Sequence, residues 1–319
     1  MSEYYIKKEI EHAFEDVLGR APEEAALNFY SEKWFSYEQM CDKLKSSPEY
    51  KKKMGVKEKV PERRGWPLPQ LFVATNIKVL YCPIAKNACS TLKRLMVDVS
   101  DIPEKKELLA RGDIHKKTDS SFTGIQLKDL SEEYAEKALY DKAYFRFAVL
   151  RNPFDRILSA YWEKFVVNRK NKGNISHTLP VINQIRQKDL DDSLVEKGVT
   201  FREFVSFLVN SNPDSLDPHW CPQSNYLKCV EYDSYFDVKN LAPLYKILSD
   251  RVGRKIEPEA KNVSGSGGGQ FLKGAMDKLP EELITFGLIS KDSFYDYKIS
   301  RNIKAFYEED FSFLEKCEA

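Results

Sequence analysis

Two short apolar runs, each leading through a polar loop into an amphipathic helix, restrict this chain more than any other feature. Lys78-Val-Leu-Tyr-Cys82 ends at Pro83, and Ala88 to Val99 follows with Leu92, Leu95, Met96 and Val99 on one face. Tyr144-Phe-Arg-Phe-Ala-Val-Leu150 ends at Arg151, and Pro153 to Phe165 follows with Phe154, Ile157, Leu158, Tyr161, Trp162 and Phe165 inward. A brief apolar run bounded by a breaker reads as a buried strand, and the threefold and fourfold spacing after it reads as a helix. Strands alternating with helices predict an α/β fold around a mostly parallel sheet. Thr200 to Val209 is predicted as a further helix with a threonine cap, and Ser264-Gly-Ser-Gly-Gly-Gly-Gln270 as a glycine-rich loop.

Composition narrows the partners. With 319 residues, 42% hydrophobic and 31% charged, the chain can bury a substantial core. Lys plus Arg number 50 against 49 Asp plus Glu, a net charge of +1, which argues against a long nucleic acid as the main partner. A local basic pocket for a small anion remains compatible with that balance. Met1 to Ala13 is charged throughout, and no run approaches the ~20 apolar residues of a membrane span, so a cytoplasmic location is expected. Peripheral association with a membrane stays open. The six cysteines form no C-x-x-C pair, and reduced thiols are expected.

The first fifty residues read differently from the rest. Ile6, Ile10, Phe14, Val17 and Leu18 share one helical face, Gly19-Arg-Ala-Pro22 stops that helix, and Pro22 opens another carrying Ala25, Ala26, Phe29 and Tyr30. Ser36 is placed as the cap of a third helix, and Ser47-Pro48-Glu49-Tyr50 as the start of a last turn. Gly55 to Gln70 is rich in proline and charge. The expected organisation is a helical module over 1–54, a linker over 55–70 and an α/β domain over 71–319. Val17-Leu-Gly-Arg-Ala-Pro-Glu23 with Ser46-Ser-Pro-Glu-Tyr50 resembles a small helical bacterial domain of unknown function, which implies no chemistry of its own.

Each of the two strand–loop–helix units suits an anion. In the first, Tyr81-Cys-Pro-Ile-Ala-Lys86-Asn87-Ala88-Cys89-Ser90-Thr91, a loop enters a helix whose first backbone N–H groups lack intrahelical partners. Lys86 adds a cation, and Ser90 and Thr91 add hydroxyls. The pattern compares with the phosphate-binding loop G-x-x-x-x-G-K-[ST], but both glycines are absent and Lys86 precedes the hydroxyls by several residues. In the second, Phe147-Ala-Val-Leu-Arg151-Asn-Pro-Phe-Asp-Arg156-Ile-Leu-Ser159-Ala-Tyr161, Arg151 stands at the carboxyl end of a strand, where open α/β sheets bind ligands. A guanidinium and the Ser159 hydroxyl suit a phosphate monoester. The bland alternatives are a lysine at a capped helix start and an arginine paired with Asp155 or another carboxylate.

Together the units resemble the sulfotransferases that use 3′-phosphoadenosine 5′-phosphosulfate (PAPS), in particular the Golgi-type carbohydrate sulfotransferases. The first unit corresponds to that family's 5′-phosphosulfate loop through Pro83, Lys86, Ser90 and Thr91. The second corresponds to its 3′-phosphate element R-x-P-[FY]-x-R-x-x-S-x-[YF] through Arg151, Pro153, Phe154, Arg156, Ser159 and Tyr161. Further likeness lies in Thr200-Phe-Arg-Glu-Phe204, Asp217-Pro-His-Trp-Cys-Pro-Gln223 and Tyr307-Glu-Glu-Asp-Phe311. The resemblance implies a P-loop-like three-layer fold, PAPS as donor and a hydroxyl acceptor such as a glycan. It implies cofactor contacts from Lys86, Asn87, Ala88, Cys89, Ser90, Thr91, Arg151 and Ser159, and no metal.

Transfer of a sulfuryl group needs the leaving phosphate oxygen stabilised and the acceptor hydroxyl deprotonated. Lys86 is the expected stabiliser. Of four histidines, His115 and His219 are the candidates for the base. His12 lies in the N-terminal helices and His177 in what reads as a polar loop, so both are set aside. No Asp/His cluster with metal-ligand spacing is visible in the sequence. The rival readings are a P-loop-type nucleotide kinase, which lacks its glycine cradle here, and a non-catalytic nucleotide-binding or interaction module.

Overall fold

Phe145–Leu150 forms strand β3, and every residue from Arg146 to Leu150 is buried. In the computed structural model it lies at the centre of a five-stranded sheet with β1 (Phe72–Ala74), β2 (Val79–Cys82), β4 (Ser234–Asp237) and β5 (Cys317–Glu318) in the order β1-β2-β3-β4-β5. β3 pairs parallel to β4 in the register Phe147 with Ser234 through Leu150 with Asp237, and β4 pairs parallel to β5. The chain is thus α/β with parallel pairing at the sheet's heart, as the alternating pattern predicts. The structure describes residues 3–31, 37–47, 49–50, 65–119, 122–187, 192–257 and 269–318. Ser36, the Lys51–Lys53 run and most of the glycine-rich loop lie outside these residues.

Two units can be told apart, Met1–Leu80 with Met96–Tyr144, and Tyr81–Leu95 with Phe145–Ala319. In the first, helices Glu3–Leu18, Glu24–Ser31 and Tyr37–Ser46 enclose Ile10, Ala13, Phe14, Val17, Leu18, Met40 and Leu44. Helices of 16, 8 and 10 residues are too short to be stable alone, so this shared apolar cluster holds them. Gly19, with φ of 66°, ends the first helix, as its place after Leu18 predicts. The Arg20 guanidinium then grips both oxygens of Glu49 at 2.5 and 2.6 Å.

The second unit is built on aromatic packing. Phe165, Phe201, Phe204, Trp220 and Phe294 are all at most 1% exposed and share one cluster with Tyr161 and Tyr307. The helix Phe201–Val209 enters this core with Thr200 and Glu203 capping each other's backbone N–H groups. The helix after β3 starts where the sequence requires. Asn152 accepts from the Phe154 N–H at 3.0 Å, and Pro153 occupies the first helical position. That helix is regular only over Pro153–Tyr161; Trp162–Val167 continues as a π-helical stretch, which the sequence pattern does not distinguish from α. Among the described residues, no helix is long and apolar enough to cross a membrane.

Candidate active site

The loop after β2 and the strand end of β3 are joined by a buried polar knot. Asn87, fully buried, donates its amide to the Val149 carbonyl at 2.9 Å and to Gln223 Oε1 at 2.5 Å. The same Gln223 oxygen accepts the Arg151 N–H at 3.0 Å, and its amide donates to the Arg151 carbonyl at 2.9 Å. Asp310 closes the knot from below by accepting the N–H groups of Gln223 and Ser224, both at 2.9 Å. Burial pushes the Asp310 carboxyl above the ordinary aspartate range, against those hydrogen bonds. Arg156 is also fully buried. Its three nitrogens donate to the carbonyls of Ala85, Cys221 and Pro218 at 3.1, 2.7 and 3.1 Å, so it is a strut between loops.

This framework holds the loop in an unusual backbone shape. Lys86 and Ala88 both adopt left-handed conformations, with φ of 71° and 55°, a region that favours glycine. Such residues cost of order 1–3 kcal/mol each and persist only where the surroundings fix them. Asn87, anchored between them, is the fixing point.

Lys86, Arg151 and Ser159 line one cavity of about 280 Å³ with Asp155, Leu158, Trp162, Glu163, Leu288, Ile289, Lys291 and Phe294. Three cations and two carboxylates face it, and Trp162, Leu158 and Phe294 supply an apolar wall. Arg151 donates to the Lys86 carbonyl at 2.9 Å, and among the described residues no carboxylate lies within ion-pair distance of it. Asp155 is held instead by Lys239 and Lys291, each at 3.1 Å. The expected alternative, a structural Arg151–Asp155 pair, is therefore not what the chain forms. Burial lowers the pKa of Arg151, opposed by the charge of Asp155. Burial also lowers that of Lys86, partly offset by its ion pair with Glu163.

The other loop residues sit elsewhere. Asn87 is spent inside the fold, Cys89 is buried, and Ser90 is exposed at the start of the helix Cys89–Val99. Ala88 and Thr91 are half-buried, and none of Asn87 to Thr91 lines the cavity. His115 belongs to the other unit, on the short helix Ile114–Asp119, with its Nδ1 4.0 Å from Asp119.

His219 and His177 together require a correction of the sequence reading. His177 is not in a loop but on the helix Lys172–Arg186, and its Nδ1 lies 2.7 Å from Asp217 Oδ2. His219 Nδ1 lies 2.7 Å from the other oxygen, Oδ1, and the two rings meet edge-on at 4.7 Å between centroids. A cluster with metal-ligand geometry thus exists after all, its ligand atoms within 4.8 Å of one another. His177 lies forty residues before Asp217, which hides the cluster from any spacing rule. Burial pushes Asp217 up, but hydrogen bonds from His219 and His177 outweigh it and hold the carboxyl at about 2.

A family model described as the sulfotransferase family matches residues 69–315, well over half of the chain. The chain belongs to the sulfotransferase family. Among curated relatives it is similar to carbohydrate sulfotransferase 14 of Danio rerio, 30% identical over 200 residues that cover 60% of this chain and 51% of the relative. Carbohydrate sulfotransferase 14 of Homo sapiens is 30% identical over 52% of this chain and 42% of its own length. Carbohydrate sulfotransferase 9 of Homo sapiens is 27% identical over 63% and 45%. The chain spans about half the length of the curated relatives it matches. No solved structure matches it. Within this sulfotransferase-family chain, each of three segments that resemble the family places one residue in the framework. Glu203 pairs with Arg186 at 2.6 Å, Gln223 ties the two loops together, and Tyr307 donates to the Trp220 carbonyl at 2.6 Å. Glu163, Lys291 and His177 carry no motif, and the sequence reading missed them.

The far lip of the cavity is tied down by one close approach. Gln270 donates to the Leu288 carbonyl and accepts from Ser290 N–H, at 3.0 and 2.9 Å. A Cβ on Gly269 would come within 2.3 Å of the Ile289 carbonyl carbon. Gly269→Ala is expected to force the lip outward and destabilise the fold by about 1–3 kcal/mol, read as a lower midpoint in a thermal melt.

Proposed function

We propose that this chain transfers a sulfuryl group from PAPS to a hydroxyl of a carbohydrate or glycoconjugate, by in-line displacement. The observation that carries the reading is Arg151, a half-buried guanidinium with no carboxylate within ion-pair distance among the described residues, sharing one cavity with Lys86 and Ser159 beyond the carboxyl ends of β2 and β3. A burial-depressed cation pair at a strand end favours a dianionic phosphate over water. The strand–loop–helix after β2 is read as the P-loop-like element, Lys86 as the group that meets the leaving 5′-phosphate, and Arg151 with Ser159 as the 3′-phosphate site. Stabilisation by Lys86 grows as charge develops on the bridging oxygen, so it acts on the transition state more than on the bound donor. The apolar wall of Trp162, Leu158 and Phe294 suits a nucleoside. Carbohydrate as the acceptor class is supported by the names of the relatives.

His219 is the base we favour. It shares the second unit with the cavity, and its charge acts on Glu163 in the cavity wall. Burial lowers its pKa, with Asp217 opposing and Lys164 adding to the shift. A depressed pKa keeps the imidazole neutral, and so able to take a proton, below the ordinary histidine value of about 6.5. The acid limb of kcat/KM should therefore fall at a pH under that value, and His219→Ala should remove it. A limb above 6.5, or one that persists in the variant, assigns the base elsewhere, His115 included. The reaction itself is tested by incubating the protein with sulfur-35-labelled PAPS and a panel of glycans, following label into acceptor. Transfer to no hydroxyl acceptor, with PAP release no faster than in buffer, would refute the proposal.

A further inference from the structure

A wall built to receive a polyanion gains nothing from an acidic side chain, yet Glu163 lines the cavity beside Lys86 and Arg151. Its Oε2 accepts from Lys86 Nζ, and its Oε1 lies 3.7 Å from Lys164 Nζ. Glu163 belongs to the π-helical stretch Trp162–Val167, whose i→i+5 winding departs from the side-chain register a continued α-helix would give. The two partners differ in freedom. The Lys86 side chain is 12% exposed and that of Glu163 43% exposed, so the ammonium is enclosed while the carboxylate has an open path to solvent.

We propose that Glu163 is a displaceable counter-ion for Lys86, holding the ammonium until a ligand with two separate phosphate groups replaces it. The inference rests on the donor reading of this cavity. A buried ammonium left without an anion is costly, and Glu163 removes that cost in the unliganded protein. An incoming anion must then displace a carboxylate already in contact. A phosphate monoanion engages one cation centre at a time, whereas a bisphosphate reaches Arg151 and Lys86 together and recovers the difference. Glu163 thereby selects for the bisphosphate and is a positioning and specificity residue, not a catalytic one. The charged groups that face Lys86 are Glu163, Arg151 and Lys164.

Glu163→Gln removes the charge and keeps the size. By calorimetry, 3′,5′-adenosine bisphosphate (PAP) is expected to bind this variant about tenfold more tightly than wild type, a difference of about 1.4 kcal/mol. Inorganic phosphate should gain by a larger factor, narrowing the preference between the two. In a Lys86→Met background the gain from Glu163→Gln should vanish, because the two side chains act as one unit. A Glu163→Gln protein that binds PAP no more tightly than wild type, or a gain that survives in Lys86→Met, overturns the proposal. Failure of the donor reading looks different, since no form would then bind PAP. The counter-ion is legible without a ligand as well. Acylation of Lys86 by an amine-reactive ester, followed by mass spectrometry, should quicken several-fold in Glu163→Gln, where burial and the neighbouring Arg151 and Lys164 then act on the ammonium unopposed. Equal reactivity in the two proteins overturns the proposal on its own.

Discussion

Arg151→Ala is expected to weaken PAP binding by about 2–5 kcal/mol while the protein remains folded. The side chain has one hydrogen bond within the fold, to the Lys86 carbonyl at 2.9 Å, and its burial lowers its pKa. Its removal strips the 3′-phosphate of its one fork-shaped donor and costs the framework little, because the Gln223 bonds to residue 151 use main-chain atoms only. Arg151→Lys should recover part of the loss, since it restores charge but not the planar two-pronged geometry. Calorimetry with PAP reads both variants against a thermal melt. An Arg151→Ala protein that binds PAP as wild type does would mean that the 3′-phosphate lies elsewhere.

Lys86→Ala should act on rate more than on binding. Preorganised donors aimed at developing oxyanion charge are worth about 10²–10³ in turnover, and a loss of that size is expected here. The same ammonium also meets charge on the bound donor, so some loss of PAP affinity accompanies the drop. Lys86→Ala combined with Glu163→Gln should bind PAP and turn over as Lys86→Ala alone does, because the two side chains act as one unit. Single-turnover transfer from labelled PAPS to a working acceptor measures the chemical step directly. A rate within a few-fold of wild type would remove Lys86 from the reaction.

The sequence made the strands and the two cation-bearing loops legible because they rest on local rules. Phe145–Leu150 is an unbroken apolar run, Asn152-Pro153 is a helix start by capping and by proline geometry, and Thr200 with Glu203 is a reciprocal cap. Arg151, Ser159 and Lys86 follow from their positions after strands, and the fold gathers all three at one cavity. What stayed hidden depends on contacts across long separations. Asn87 looks like a loop residue in reach of a ligand, but its partners Val149 and Gln223 turn it inward. Arg156 reads as a residue that fixes its own loop, but the three carbonyls from two distant segments that claim it are invisible in the sequence. His177 seems unremarkable until Asp217 approaches it from forty residues away. Glu163 reads as the solvent side of an amphipathic helix, and the π-helical winding there follows from no residue pattern. Hydrophobic periodicity reports which face is buried; it carries no information on which buried polar atoms will meet.

The central claim is that the cavity beyond β2 and β3 is a site for PAPS, and titration of the intact chain with PAP in a chelator-containing buffer tests it most directly. The account predicts saturable one-to-one binding with no requirement for magnesium, at least about tenfold tighter than ATP under the same conditions, and weakened by about 2–5 kcal/mol by Arg151→Ala. Absence of PAP binding, or ATP binding that exceeds it and depends on magnesium, would contradict the account and favour a nucleotide kinase.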